Sequence, residues 1–320
     1  MAEAPADSGP DLTARVGAVE LANPVMLASG TCGTGPELAR AADVSRVGAI
    51  VMKTVTREPR EGNPTIRVAE TPSGMLNAIG LENPGIERFC EHSLPKAREL
   101  GVPLVASVAG RSPDDYVECA RALDSAGGPV AVEVNLSCPN DRDAGEGHTP
   151  LAFGQDPAAA GEVVSAVRSE ITLPVWAKLT SCVADIGSLA SACAEAGADA
   201  ITAVNTIPGM AIDVRKRRPV LAAVTGGLSG PAIFPVALRC VREIARALEP
   251  KGVPVIGCGG VSSAEDVVAM LLAGASAVQV GTATFSDPCA AVRMVVGLPA
   301  LLEEMGAASV GELVGALEQG

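Results

Sequence analysis

Eight short runs of small and β-branched apolar residues recur along this chain, at 24–28, 49–53, 103–108, 130–135, 174–178, 200–204, 254–257 and 277–280. Each is near-continuous in hydrophobicity and flanked by Gly, Pro or a polar residue, as in strands buried on both faces of a parallel sheet. Segments with helical spacing fill the gaps. Asp156 and Pro157 offer an N-cap and a first-turn Pro for a helix over 158–171, and Ser262 and Ser263 open another that ends near Gly274. A third, over 231–248, places Val236, Val241, Ile244 and Leu248 on its apolar side. Eight strand–helix units in about 260 residues favour an α/β fold of the (β/α)8 TIM-barrel kind over a doubly wound sheet. Residues 13–21 predict a short N-terminal β-hairpin. Residues 1–11 are expected to form a flexible tail, and 12–320 a single barrel domain.

Composition narrows the function. Hydrophobic residues make up 48% of the 320 and aromatic residues only 2%, so the core is built from Ala, Val, Leu and Ile, and a base-stacking surface is nearly excluded. A net charge of −13 argues against a groove that tracks nucleic-acid phosphates. The acidic start, Met1 to Asp7, has no apolar stretch of a signal peptide, and no run is long enough to span a membrane. The nine Cys form no CxxC pair and only two His are present, His92 and His148, so no metal site is expected. A reduced, cytoplasmic protein is expected.

Three connections exceed the usual length after a strand: about 54–84, 136–155 and 205–230. All leave C-terminal strand ends, where such a barrel keeps its active site. The seventh strand runs into Gly257, Cys258, Gly259 and Gly260 before a Ser-capped helix, and the eighth into Gly281, Thr282 and Ala283. Glycines there let backbone N–H groups and a helix N-terminus approach a phosphate. Cys258, inside that turn, has no expected chemistry. Lys53 and Lys178 close the second and fifth strands and would project over the mouth as positive charge for an anionic ligand. The fourth strand ends in Asn135, Leu136, Ser137, Cys138, Pro139 and Asn140. Its amides suit a uracil-like ring, and its thiol can serve as nucleophile or base. Asn77 to Leu81, Asn205 and Thr206 add polar groups from the other two long loops.

In order and spacing these stretches resemble the dihydroorotate dehydrogenases of class 1. The likeness runs through Asn23 to Gly30, Met52 to Thr56, Gly62 to Pro64, Thr71 to Leu81, Asn135 to Asn140, Ala203 to Thr206, Thr225 to Ile233, Gly257 to Val261 and Val280 to Ala283. The segments at 71–77 and 225–230 look most like class 1B, whose catalytic chain works with a separate electron-transfer subunit. The resemblance implies an FMN-dependent oxidoreductase that oxidises dihydroorotate to orotate in pyrimidine biosynthesis. It implies that Ser29, Lys53, Thr54, Asn135, Lys178, Val204, Gly230, Gly259, Gly260, Gly281 and Thr282 hold FMN. Lys53, Asn77, Ala78, Ile79, Gly80, Leu81, Asn135, Asn205 and Thr206 would hold the substrate. Cys138 would be the base, with Lys53 and Lys178 as catalytic partners. A homodimer of catalytic chains within a heterotetramer, with an iron–sulfur/FAD subunit passing electrons to NAD, is the implied assembly. Two departures stand out: Ser107 where the family usually has Asn, and a longer, more charged loop over 141–150.

Other readings stay open on sequence. They are a class 1A-like enzyme using fumarate, a paralogue acting on another uracil-like ring, a flavin-binding scaffold, and a phosphate-binding aldolase or isomerase.

Overall fold

The eight apolar runs all become strands, and they close on themselves. In a computed structural model that describes residues 9–138 and 150–318, they are β1 (Val25–Leu27), β2 (Ala49–Val51), β3 (Leu104–Val108), β4 (Pro129–Asn135), β5 (Val175–Leu179), β6 (Ala200–Ala203), β7 (Val255–Cys258) and β8 (Ala275–Val280). Each pairs in parallel with its sequence neighbours, and β8 pairs with β1 to complete the ring. Closure satisfies every strand edge. The hairpin Ala14–Val16/Val19–Leu21 packs against β8. Asp11 does not hang free: its N–H donates to the Ala308 carbonyl and its carbonyl accepts from Val310, both at 2.9 Å. Residues 1–8 of the expected tail lie outside the described residues.

The helices that cover the barrel start where capping chemistry places them. Ser112 and Asp115 form a reciprocal capping box before Pro113–Ala126, and Ser263 and Asp266 do the same before Ala264–Ala273. The Asp156 carboxylate accepts from the Ala158 N–H at the head of Pro157–Arg168, which ends three residues before the expected 171. The helix expected from 231 is a 3-10 turn over Pro231–Ile233 followed by Phe234–Leu248. Val236, expected on its apolar side, is 36% exposed. Ala237, Cys240, Val241, Ile244 and Leu248 form the buried stripe instead. That set keeps the 3–4 residue spacing of one helix face, and Val236 lies a step of about 100° off it.

Two of the three long connections are not loops. They carry an antiparallel sheet in the order Ile207–Met210, Thr225–Ser229, Gly74–Asn77 and Val68–Thr71. This sheet roofs part of the mouth over a small core of its own: Leu76, Ala78, Leu221 and Ala223. It lies close over Thr206, since a Cβ at Gly227 would stand 2.0 Å from the Thr206 hydroxyl. Only glycine permits that approach. Residues 139–149 of the third connection, with Pro139, Asn140 and most of the expected lid, lie outside the described residues.

Candidate active site

The barrel's interior floor is polar and charged. Glu133 on β4 is fully buried. One carboxylate oxygen accepts from Thr202 Oγ1 (β6, 3.0 Å) and Gln279 Nε2 (β8, 2.6 Å). The other lies 3.5 Å from Lys178 Nζ (β5), which donates to Gln279 Oε1 at 3.0 Å. Burial works against a charge on Lys178, but the Glu133 carboxylate above all favours it, and the amine's pKa is raised.

A hydrogen-bonded wall rises from the floor. The hydroxyls of Ser29 and Ser107 flank Thr54 Oγ1 at 3.1 and 2.8 Å. Asn135 Nδ2 donates to the same Thr54 oxygen (3.4 Å), and Asn135 Oδ1 accepts from Ser137 Oγ (3.0 Å). Asn205 Nδ2 donates to Ser137 Oγ at 2.9 Å, and Asn205 Oδ1 accepts from the Thr206 N–H at 2.7 Å. The Tyr116 hydroxyl donates to the Asn135 carbonyl and anchors its backbone. Five strand ends therefore fix one another's side chains through Thr54, Asn135 and Ser137. Ser107 spends its hydroxyl on Thr54.

Above floor and wall lies a cavity of about 380 Å³, within the range of small-molecule sites. The structure brings Ser29, Lys53, Thr54, Asn77, Ile79, Gly80, Leu81, Asn135, Cys138, Lys178, Val204, Asn205, Thr206, Gly259, Gly260, Gly281 and Thr282 to its lining. Two expected residues are not on it. Ala78 is buried in the roof's core, its N–H donating to Arg67 O and its carbonyl accepting from Asn63. Gly230 supports the rim from behind, its carbonyl 2.8 Å from where a Gly260 Cβ would stand.

The residues expected to cradle a phosphate gather on the glycine rim. Just before Ala264–Ala273, the Asp266 carboxylate accepts from the N–H groups of Ser262 and Ser263. Gly259, Gly260, Gly281 and Thr282 line the cavity. Gly260 has φ +78°, and a Cβ there would lie 2.7 Å from the Phe234 nitrogen.

Sequence reasoning missed several lining or supporting groups. Arg67 and Glu82 stand at the cavity's outer side, paired at 2.6 Å. Cys258 is buried, lines the cavity, and lies within electrostatic reach of Lys178. Burial raises its pKa. Lys53 is pulled the other way: burial lowers its pKa, while a Cys138 thiolate and Glu82 favour its charged form. Among the described residues no group of three or more His, Cys, Asp or Glu could hold a metal, and no helix is long and apolar enough to cross a membrane.

Floor, wall and rim define the class: a (β/α)8 barrel with one charged lysine under its cavity and another beside a thiol. The family model for dihydroorotate dehydrogenase matches residues 11–302. A chain from Pelobacter propionicus called dihydroorotate dehydrogenase B (NAD(+)), catalytic subunit, is 50% identical over 97% of this chain and 99% of its own length. A chain of the same name from Geobacillus kaustophilus is 47% identical over 93% and 92%. The chain belongs to the dihydroorotate dehydrogenase family.

Proposed function

We propose that this chain oxidises dihydroorotate to orotate with bound FMN, as the catalytic subunit of a class 1B enzyme in pyrimidine biosynthesis. The observation that carries the reading is one cavity in which Cys138 and Lys53 stand beside Asn77, Asn135 and Asn205, above the charged Lys178. The residues present fit FMN. A rim of Gly259, Gly260, Gly281 and Thr282, three of them without side chains, suits a phosphate, and a buried ammonium suits a ring that gains negative charge on reduction. Ser29, Thr54, Asn135 and Val204 line the space a flat ring would fill. When bound, FMN supplies the acceptor for a hydride from substrate C6.

The chain's own residues do the rest. Cys138 takes the proton from substrate C5, and Lys53 beside it favours the thiolate by its charge. The amides of Asn77, Asn135 and Asn205, the backbone of Ile79, Gly80 and Leu81, and Thr206 fix the alternating N–H and C=O groups of the ring. The wall hydrogen bonds hold Asn135 and Asn205 before substrate arrives.

The visible spectrum tests the reading. The purified chain should be yellow, and dihydroorotate should bleach the flavin band; a colourless chain or an unbleached band would count against it. Relatives named as NAD(+)-dependent catalytic subunits support a partner, which we take to be an iron–sulfur/FAD subunit in a heterotetramer around a dimer of catalytic chains. The lone chain should therefore turn over slowly with NAD⁺. Fast NAD⁺ turnover without a partner would sink that assignment, and efficient fumarate turnover would favour the class 1A alternative.

Gly260→Ala should lose FMN. The added Cβ meets backbone on two sides at a positive φ, so the rim must move. FMN affinity should fall by about tenfold or more, equivalent to about 1.4 kcal/mol. Gly252→Ala carries a similar φ of +64° with nothing within 4 Å, and should keep wild-type affinity. Equal affinity in the two variants would remove the rim from the FMN site.

A further inference from the structure

The mechanism uses Lys178 but not the buried carboxylate beside it. Glu133 is the one charged residue with no exposure at all among the described residues, and it sits in the barrel interior, bridging to three other strands. Its Oε1 accepts no hydrogen bond, so what faces that oxygen is the Lys178 ammonium at 3.5 Å. Gln279 holds the geometry. Its amide donates to Glu133 through Nε2 and accepts from Lys178 through Oε1, so one side chain fixes both charges. With one N–H on Gln279 and one turned to Glu133, the ammonium keeps a third for the cavity that Lys178 lines.

We propose that Glu133 is a positioning residue for the redox step: through Gln279 and directly, its carboxylate keeps Lys178 charged and aimed at the cavity. The role toward FMN rests on the function proposed above; the coupling of Glu133 to Lys178 does not. The other titratable groups that face Lys178 are Cys258 at the end of β7 and Cys32 after β1. Burial pushes the Cys32 thiol up to about 12 and raises that of Cys258, which favours the neutral form of both. Glu133 is then the anion that balances Lys178 among the described residues. Without it, a lone buried ammonium gives up its proton at lower pH.

Glu133→Gln tests this with two readouts. In the holo chain, the preference for reduced over oxidised FMN should match wild type within about twofold at pH 6. It should fall about tenfold by pH 9, whereas wild type shows no such extra loss. In the FMN-free chain, Glu133→Gln should gain stability relative to wild type as pH rises toward lysine's ordinary range of about 10.4. The sign follows because a folded-state lysine with a lowered pKa binds fewer protons than the unfolded chain does. A Lys178→Met background supplies the control: there, Glu133→Gln should cause no loss of the preference for reduced FMN between pH 6 and 9, and no further gain in stability as pH nears lysine's ordinary range of about 10.4. If Glu133→Gln does not fold, Thr202→Val, which removes one hydrogen bond from Glu133, should shift both readouts the same way by less. pH-flat behaviour in the folded variant, or full additivity in the Lys178→Met background, overturns the proposal. A chain that binds no FMN would end the functional reading, while the FMN-free stability curve would still decide the Glu133–Lys178 coupling.

Discussion

Lys178→Ala should lose about 3–5 kcal/mol of stability as well as its redox chemistry, because it strands Glu133 in the barrel interior without a counter-charge. Thermal denaturation should show a drop of roughly 5–15 °C near pH 8. The deficit should shrink toward pH 5. A lone buried carboxylate has a folded pKa above its unfolded value, so the folded state takes up a proton as pH falls and the penalty eases. Flavin reduction should also slow, because the positive charge that favours the reduced ring is gone. Adding Glu133→Gln to a Lys178→Met chain should restore most of the stability and none of the rate, since the buried charge is removed without returning the ammonium. A double variant as unstable as Lys178→Ala would mean that Lys178 stabilises the barrel by packing, not by charge.

How much of this was legible in the sequence differs by element. The eight strands were, because a strand buried on both faces leaves an unbroken apolar run such as that around Ile50 or Val105. The roof strands were not. Those at 74–77 and 225–229 carry three of the chain's glycines and cover only a small local core, so they show neither alternation nor an apolar run. Site residues at strand ends, such as Lys53, Asn135 and Lys178, could be placed because position on a strand end suffices. Ala78 could not be told from its lining neighbours, since the turn of one backbone step sends it into the roof's core. Glu133 and Gln279 carry a signal: each is a long polar side chain between apolar neighbours in a strand, where burial without a partner is costly. Arg67 and Glu82 had none, because their pairing depends on how the roof folds back over the mouth.

Cys138→Ala should cut flavin reduction by dihydroorotate about 10²–10⁴-fold, the usual size of a general-base contribution. FMN should remain bound, since the rim, Thr54 and Lys178 are untouched. Orotate should still bind, because Asn77, Asn135, Asn205 and Lys53 remain. Cys258 is unsuitable as the control thiol, as it lines the same cavity beside Lys178. Cys193, buried on the helix Ile186–Glu195 away from the cavity lining, serves instead, and Cys193→Ala should reduce within a few fold of wild type. The pH profile separates a base from a bystander. The wild-type rate should rise as the Cys138 thiol loses its proton, and fall again once Lys53 loses its own. Burial lowers the pKa of Lys53, so the falling limb should lie below the ordinary lysine range. Lys53→Met should move the rising limb to higher pH, because a neighbouring positive charge no longer favours the thiolate. Cys138→Ser should recover part of the rate, mostly at high pH, since an alcohol gives up its proton less readily than a thiol. Stopped-flow reduction from pH 6 to 10 reads all of these. If Cys138→Ala kept near wild-type rates, or Lys53→Met left the rising limb in place, the proton would have to leave C5 by another route.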